Sequence, residues 1–236
     1  YYNEAIEIDP DFKDAFYNRG MAKHQQAKYV EAIADYSQAI NIDNSYVPAL
    51  QQRAMAHLDF GENYKALEDT EALLRINKKD EHNAELYINS ATVYYYMGHL
   101  DAATLDLEKA QKLNSEESKL HNLWSLIHFE KEAYAKALES VEKAIDLDKD
   151  QSYYYNNRGL YKLYLDRPEE ALEDINLSLK QNNKNYYAIR NKGIYYFKKG
   201  DMTLAGKFLN EAYKADPEMP LLSEYLTQVK DRVDSE

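Results

Sequence analysis

The chain has no cysteine among its 236 residues. Disulfides, thiolate nucleophiles and cysteine-ligated zinc are thereby excluded together. Glycine and proline are sparse, at seven and five residues, and no Ser/Gly-rich or low-complexity stretch interrupts the sequence. The glycine-rich loops that cradle phosphates are absent. Positive charge is in short supply: 29 Lys and Arg stand against 41 Asp and Glu, a formal charge of -12 that repels phosphate backbones, so nucleic acid is not expected as a partner. No apolar run approaches the roughly eighteen residues needed to cross a bilayer, and the mean hydropathy of -0.75 agrees, so membrane insertion of this segment is not expected. The six histidines are scattered. His121 and His128 could share a helix face, but no His-Glu-x-x-His arrangement and no carboxylate at ligand spacing completes a metal set. Carboxylate pairs such as Glu169 and Glu170 read as solvated faces of helices. The sequence therefore points to no catalytic residue, no metal and no cofactor, and to a chain that is not an enzyme.

What the sequence does have is a period. Small residues recur at Gly20, Ala54, Ala91, Ser125, Gly159 and Gly193, spaced by 34 residues except for one interval of 37. Twelve residues after each stands an alanine: Ala32, Ala66, Ala103, Ala137, Ala171 and Ala205. Seven residues further comes a third series, Ala39, Leu73, Ala110, Ala144, Ser178 and Ala212, with Ala5 extending it towards the N-terminus. Two antiparallel helices approach closely only where side chains are small, so a small residue on one helix facing another on the next marks their crossing. Large apolar residues flank these positions, with Phe16, Leu50, Tyr87, Tyr155 and Ile189 on the first helices and Tyr36, Leu107, Val141, Ile175 and Leu209 on the second. The period describes a helical hairpin.

The stretch Ala15 to Ile42, AFYNRGMAKHQQAKYVEAIADYSQAINI, resembles the tetratricopeptide repeat (TPR) family in its small and large positions, and the resemblance covers nearly the whole chain. It implies an all-α fold, a right-handed α-α superhelix or solenoid of antiparallel hairpins. Counting positions from Lys13, Val47, Ala84, Ser118, Ser152 and Tyr186, six complete repeats span 13–46, 47–80, 84–117, 118–151, 152–185 and 186–219 as one continuous solenoid, with residues 81 to 83 lengthening one connection. Segment 1–12 reads as the second helix of a truncated repeat, with more of the protein expected upstream and self-association through this open half repeat as a corollary. Segment 220–236 reads as a capping helix and tail, with Leu221, Leu222, Tyr225, Leu226 and Val229 on its apolar side. His121 and Thr70 depart from the family pattern at positions usually apolar, and the closing proline appears only as Pro10 and Pro217.

The resemblance further implies a scaffold that binds a protein or extended peptide along the concave face of the first helices, with position 6 of each repeat pointing into it. Those positions hold Asn18, Gln52, Asn89, Leu123, Asn157 and Asn191. Such asparagines could grip a peptide backbone, since the amide carries a donor and an acceptor on one short arm. The family's carboxylate clamp is disfavoured, because position 9 reads Met21, Met55, Thr92, Leu126, Leu160 and Ile194. Positions 2, 5, 6, 9, 12 and 13 share one helix face, which is aromatic at Tyr17, Tyr95, Tyr96, Phe129, Tyr153, Tyr164, Tyr187 and Phe197. Its charged members are acidic early, at Asp14, Asp59 and Glu85, and basic late, at Arg190 and Lys198. The bound segment is thus expected to carry acidic or C-terminal carboxylate character near the last repeat. A regulatory or targeting module of a larger protein, or a self-association platform, are the alternatives.

Overall fold

Helices that meet through alanine and glycine can close until little more than a methyl group separates their backbones. The computed structural model describes residues 1–76 and 83–235, and every regular element among them is an α-helix. The chain divides into two compact units, Tyr1–Ser115 and Glu116–Glu236. In the first, α1 (Tyr2–Ile8) precedes three hairpins: α2 (Lys13–His24) with α3 (Tyr29–Ile42), α4 (Val47–Asp59) with α5 (Asn63–Ile76), and α6 (Ala84–Tyr96) with α7 (Leu100–Leu113). In the second, α8 (Ser118–Glu130) pairs with α9 (Tyr134–Leu147), α10 (Ser152–Tyr164) with α11 (Pro168–Gln181), and α12 (Tyr186–Lys198) with α13 (Met202–Ala215). The unit ends on α14 (Leu222–Asp234). Within each unit, the second helix of one hairpin packs on the first helix of the next.

The crossings show why the small residues recur. All six alanines from Ala32 to Ala205 are completely buried. A Cβ on Gly193 would sit 2.7 Å from Leu209 Cγ, and one on Gly159 would lie 2.9 Å from Ile175 Cγ1 and 3.1 Å from the Ala171 carbonyl oxygen. Thr70, polar at a core position, is buried with its hydroxyl donating to the Ala66 carbonyl, so no donor is stranded. At the C-terminal end, α14 buries Leu222, Tyr225 and Val229 against the last hairpin, while Pro220 and Leu221 fall in the turn before it. Of the three residues read as lengthening one connection, 81 and 82 lie outside the described residues, as does the 77–80 end of the second repeat, and Asn83 caps α6 by accepting from the Glu85 N–H.

Position 15, the turn inside each hairpin, is left-handed in all six repeats: Gly61, Gly98 and Gly200 at φ 83, 75 and 82, and Ala27, Glu132 and Asp166 at φ 58, 56 and 57. A side chain there costs about 1–2 kcal/mol, partly offset because glycine loses more backbone entropy on folding. Ala27→Gly and Glu132→Gly should therefore each stabilise the protein by about 0.5–1 kcal/mol, read as a higher urea midpoint; an unchanged or lower midpoint would show that these turns carry no strain.

A second regularity clamps the hairpins. Arg19, Arg53 and Arg158, all at position 7, each hold the aspartate sixteen residues later in a two-pronged pair, with Asp35, Asp69 and Asp174 accepting from Nε and Nη2 at 2.6–2.9 Å. The three aspartates are buried. Lys23 and Lys162 add a third bond, at 2.7 Å, in the first and fifth repeats. Each arginine also faces the preceding second helix: Arg19 donates to Asn3, Arg53 to Ser37, and Arg158 feels the Glu142 carboxylate. In the third repeat Ser90 and Lys109 hold Asp106 in its place.

Candidate first-helix face

Asparagine is a mediocre helix former, so a recurrence in mid-helix calls for bonds that repay it. In the second unit those bonds run from first helix to first helix. Asn157 on α10 donates from Nδ2 to Asn122 Oδ1 on α8 at 3.0 Å and accepts from Asn156. Asn191 on α12 donates to Asn156 Oδ1 at 2.7 Å and accepts from Arg190 Nε and Nη2 at 3.0 and 2.8 Å. Arg190 Nη1 in turn donates to the Pro220 carbonyl ahead of α14. The amides thus form one hydrogen-bonded chain across α8, α10, α12 and the approach to α14. Tyr154 to Ser118, at 3.1 Å, and Ser125 to Tyr161, at 3.0 Å, tie α8 to α10 beside it.

This placement separates the residues expected on the binding face. Asn191, Arg190 and Phe197 are buried, at 0%, 3% and 6% exposure, Phe197 lying against Tyr225 and Arg232 of α14. Arg190 and Asn191 satisfy each other inside the protein and are not open to a ligand, because the Pro220 carbonyl in the turn before α14 and the neighbouring Asn156 also engage their polar atoms. Asn157 is half-buried with its amide committed to the same chain. Tyr153, Tyr187 and Lys198 are exposed, and Phe129 and Tyr164 are half-buried. Tyr164 packs edge-on against Phe129 at 5.1 Å and beside Tyr134 at 4.8 Å, with Lys198 Nζ over its ring at 5.6 Å. Burial, and then a hydrogen bond to Tyr225, push the Tyr164 hydroxyl well above the usual tyrosine range, so it stays a neutral donor.

In the first unit the position-6 residues behave differently. Asn18 is exposed and turns its amide back to the Asp14 carbonyl of its own helix at 2.8 Å. Gln52 and Asn89 are half-buried, as are Tyr17 and Tyr95, while Tyr96 is exposed. Tyr17 meets Tyr36 and Tyr46 at 6.1 and 5.7 Å, and Tyr95 meets Tyr96 at 5.4 Å. Asp14 accepts from the Tyr46 hydroxyl, and Lys13 holds Asp43, whose carboxyl is lowered to about 2 by that bond and by Ser45. Asp59 is exposed and accepts from His24 Nε2 at 2.7 Å; Glu85 is exposed. Among the described residues no group of three His, Asp or Glu is placed to hold a metal ion, and no helix is long and apolar enough to cross a membrane.

Two models of the tetratricopeptide repeat family match this chain, one over residues 1–34 and the other over 88–152 and 156–220. The second alone covers more than half of the sequence. No curated protein matches. Among solved structures, a chain of the APC/C hetero-tetramer Cut9–Hcn1 superposes with a TM-score of 0.83 at 18% identity, over 97% of this chain and 45% of its own. The present chain therefore spans less than half of that neighbour's length. A tetratricopeptide repeat protein from Parabacteroides merdae gives 0.74 at 17% identity, over 97% of this chain and 90% of its own. Pseudomonas aeruginosa pilF gives 0.64 at 18% identity, over 92% and 97%. At such identities the likeness is one of fold. No enzyme family is indicated, and proteins of this fold are generally non-catalytic scaffolds. By its 34-residue period, its alanine crossings and these matches, the chain belongs to the tetratricopeptide repeat family and has the fold of a protein–protein interaction scaffold.

Proposed function

We propose that the first-helix face of each unit holds an extended segment of a partner protein, with Tyr153, Tyr164, Tyr187 and Lys198 as contact residues in the second unit and Tyr17, Asn18, Gln52, Asn89, Tyr95 and Tyr96 in the first. The observation that carries this reading is that the first helices of both units keep aromatic side chains exposed or half-exposed, in the second unit over a floor whose polar groups are already bonded to one another. Tyrosine offers apolar area with a polar tip and little rotamer entropy to lose, and a pre-bonded floor does not need to reorganise on binding. Acidic character in the segment near the last repeat rests on Lys198, since Arg190 is spent internally. The structural neighbour in the Cut9–Hcn1 hetero-tetramer is itself found assembled with another protein, which accords with this reading.

Tyr153→Ser combined with Lys198→Glu alters two exposed side chains, of which Tyr153 also meets the buried Tyr154 edge-on at 4.5 Å, so the melting temperature is read alongside. The double variant should bind a partner isolated on the wild-type protein at least tenfold more weakly, by calorimetry, with a shallower salt dependence. Unchanged affinity in a protein with unchanged melting would move the binding surface elsewhere.

A further inference from the structure

The first unit contains a cleft of about 320 Å³ between α2, α3 and α4, lined by Met21, His24, Gln25, Tyr36, Gln52 and Asp59. It is at the small end of the ~300–1,000 Å³ typical of ligand pockets, a size for one side chain rather than a cofactor. Tyr36 is completely buried, yet its hydroxyl has no hydrogen-bond partner. A buried hydroxyl left unpaired is costly, and native proteins seldom leave one so without a reason. The ring itself is held in place by packing over Gly20 and against Tyr17 and His24, so the hydroxyl cannot turn away to find a partner.

The remaining polar atoms of the cleft decide what could occupy it. Asp59 spends Oδ2 on His24, and its side chain is about half exposed, leaving Oδ1 as a charged acceptor at the mouth. Gln52 offers an amide oxygen and Tyr36 a hydroxyl oxygen. Met21 and the rings of Tyr36 and His24 supply apolar wall. Neither lysine nor arginine lines the cleft. A carboxylate, two neutral acceptors and an apolar wall complement an aliphatic stem that ends in a cation.

We propose that this cleft receives a basic side chain, arginine or lysine, of the bound polypeptide, its stem lying against Met21 and Tyr36 and its charged end donating to Asp59 and the Tyr36 hydroxyl. This rests on the reading of the first-helix face as a polypeptide-binding surface and adds a residue type and a place to it.

The test uses the whole chain and four probes, acetyl-Gly-Gly-Xaa-Gly-Gly-amide with Xaa arginine, lysine, glutamate or leucine, followed by amide and methyl NMR. The arginine and lysine probes should shift Met21, Gln25 and Gln52, and the glutamate and leucine probes should not. Asp59→Asn should weaken the arginine probe at least tenfold. Tyr36→Phe, which removes only the unpartnered hydroxyl, should weaken it about threefold while leaving the melting temperature unchanged or higher. Equal shifts from glutamate or leucine, silence from all four probes, or full affinity in Asp59→Asn would overturn the assignment, as would a lower melting temperature in Tyr36→Phe, which would show the hydroxyl already satisfied by bound water. The two readings fail separately: an isolated partner that shifts Tyr164 and Lys198 but leaves the cleft silent rejects the basic side chain alone, whereas silence at both rejects the binding face itself.

Discussion

Asp174→Ala is expected to cut the protection of α10 and α11 amides against exchange by about 3 kcal/mol, the lower end of the ~3–5 kcal/mol seen when one member of a buried ion pair is removed. Asp174 is 4% exposed and accepts from both Arg158 and Lys162. Its loss leaves two cations, one of them 8% exposed, with their buried counter-charge gone. The lower end applies because the Arg158 side chain keeps 22% of its surface and can turn partly to water. Asp174→Asn should fall between the variant and the wild type, since it retains one acceptor but not the charge. Native-state hydrogen exchange is the appropriate measurement, because a chain of two units need not unfold in one step. A loss below about 1 kcal/mol would show the clamp to be surface-like.

Asn191→Ala and Asn18→Ala change the same repeat position and should give opposite results. The first removes the acceptor of two Arg190 bonds and the donor that Asn156 receives, all within a region that water does not reach. Taking two bonds from the buried Arg190 guanidinium, which keeps its bond to the Pro220 carbonyl, and stripping Asn156 Oδ1 of its Asn191 donor should cost about 3 kcal/mol, given ~1–3 kcal/mol per stranded neutral group and more where a charged group loses bonds. Asn18→Ala loses only an exposed bond to its own helix and gains helix propensity, so the change should stay within about 0.5 kcal/mol of zero. Amide exchange in α10 and α12 for the one, and in α2 and α4 for the other, reads both. If Asn191→Ala proved neutral, the amide chain would not be holding the second unit's first helices together.

The period, the crossings and the hairpins were legible because close packing of helices admits only small residues, and their spacing survives as a pattern in one dimension. The partners of the asparagines were not, because a position-6 amide bonds the neighbouring first helix or not according to what stands at position 5 of the repeat before. Asn122 and Asn156 occupy that place ahead of Asn157 and Asn191, a recurrence of Asn at i and i+35 that was available to read. Tyr17 and Gln51 occupy it ahead of Gln52 and Asn89, where no such bond forms between asparagines. The Arg–Asp clamps were likewise written as a spacing of sixteen, at 19 and 35, 53 and 69, and 158 and 174. Charges on helices read as solvated faces until the packing shows which side they turn to. The burial of Arg190 and Phe197 followed from α14, whose apolar side was legible but whose seat over the last first helix was not.

The most direct test of the polypeptide-binding face is site-specific photo-crosslinking with benzoylphenylalanine placed one at a time at Tyr153, Tyr187 and Tyr213, three tyrosines that all expose more than a third of their surface. Tyr153 and Tyr187 lie on first helices and Tyr213 on a second helix, α13. A partner-bound sample should give adducts from Tyr153 and Tyr187 and none from Tyr213; adducts from Tyr213 with none from the other two would contradict the account.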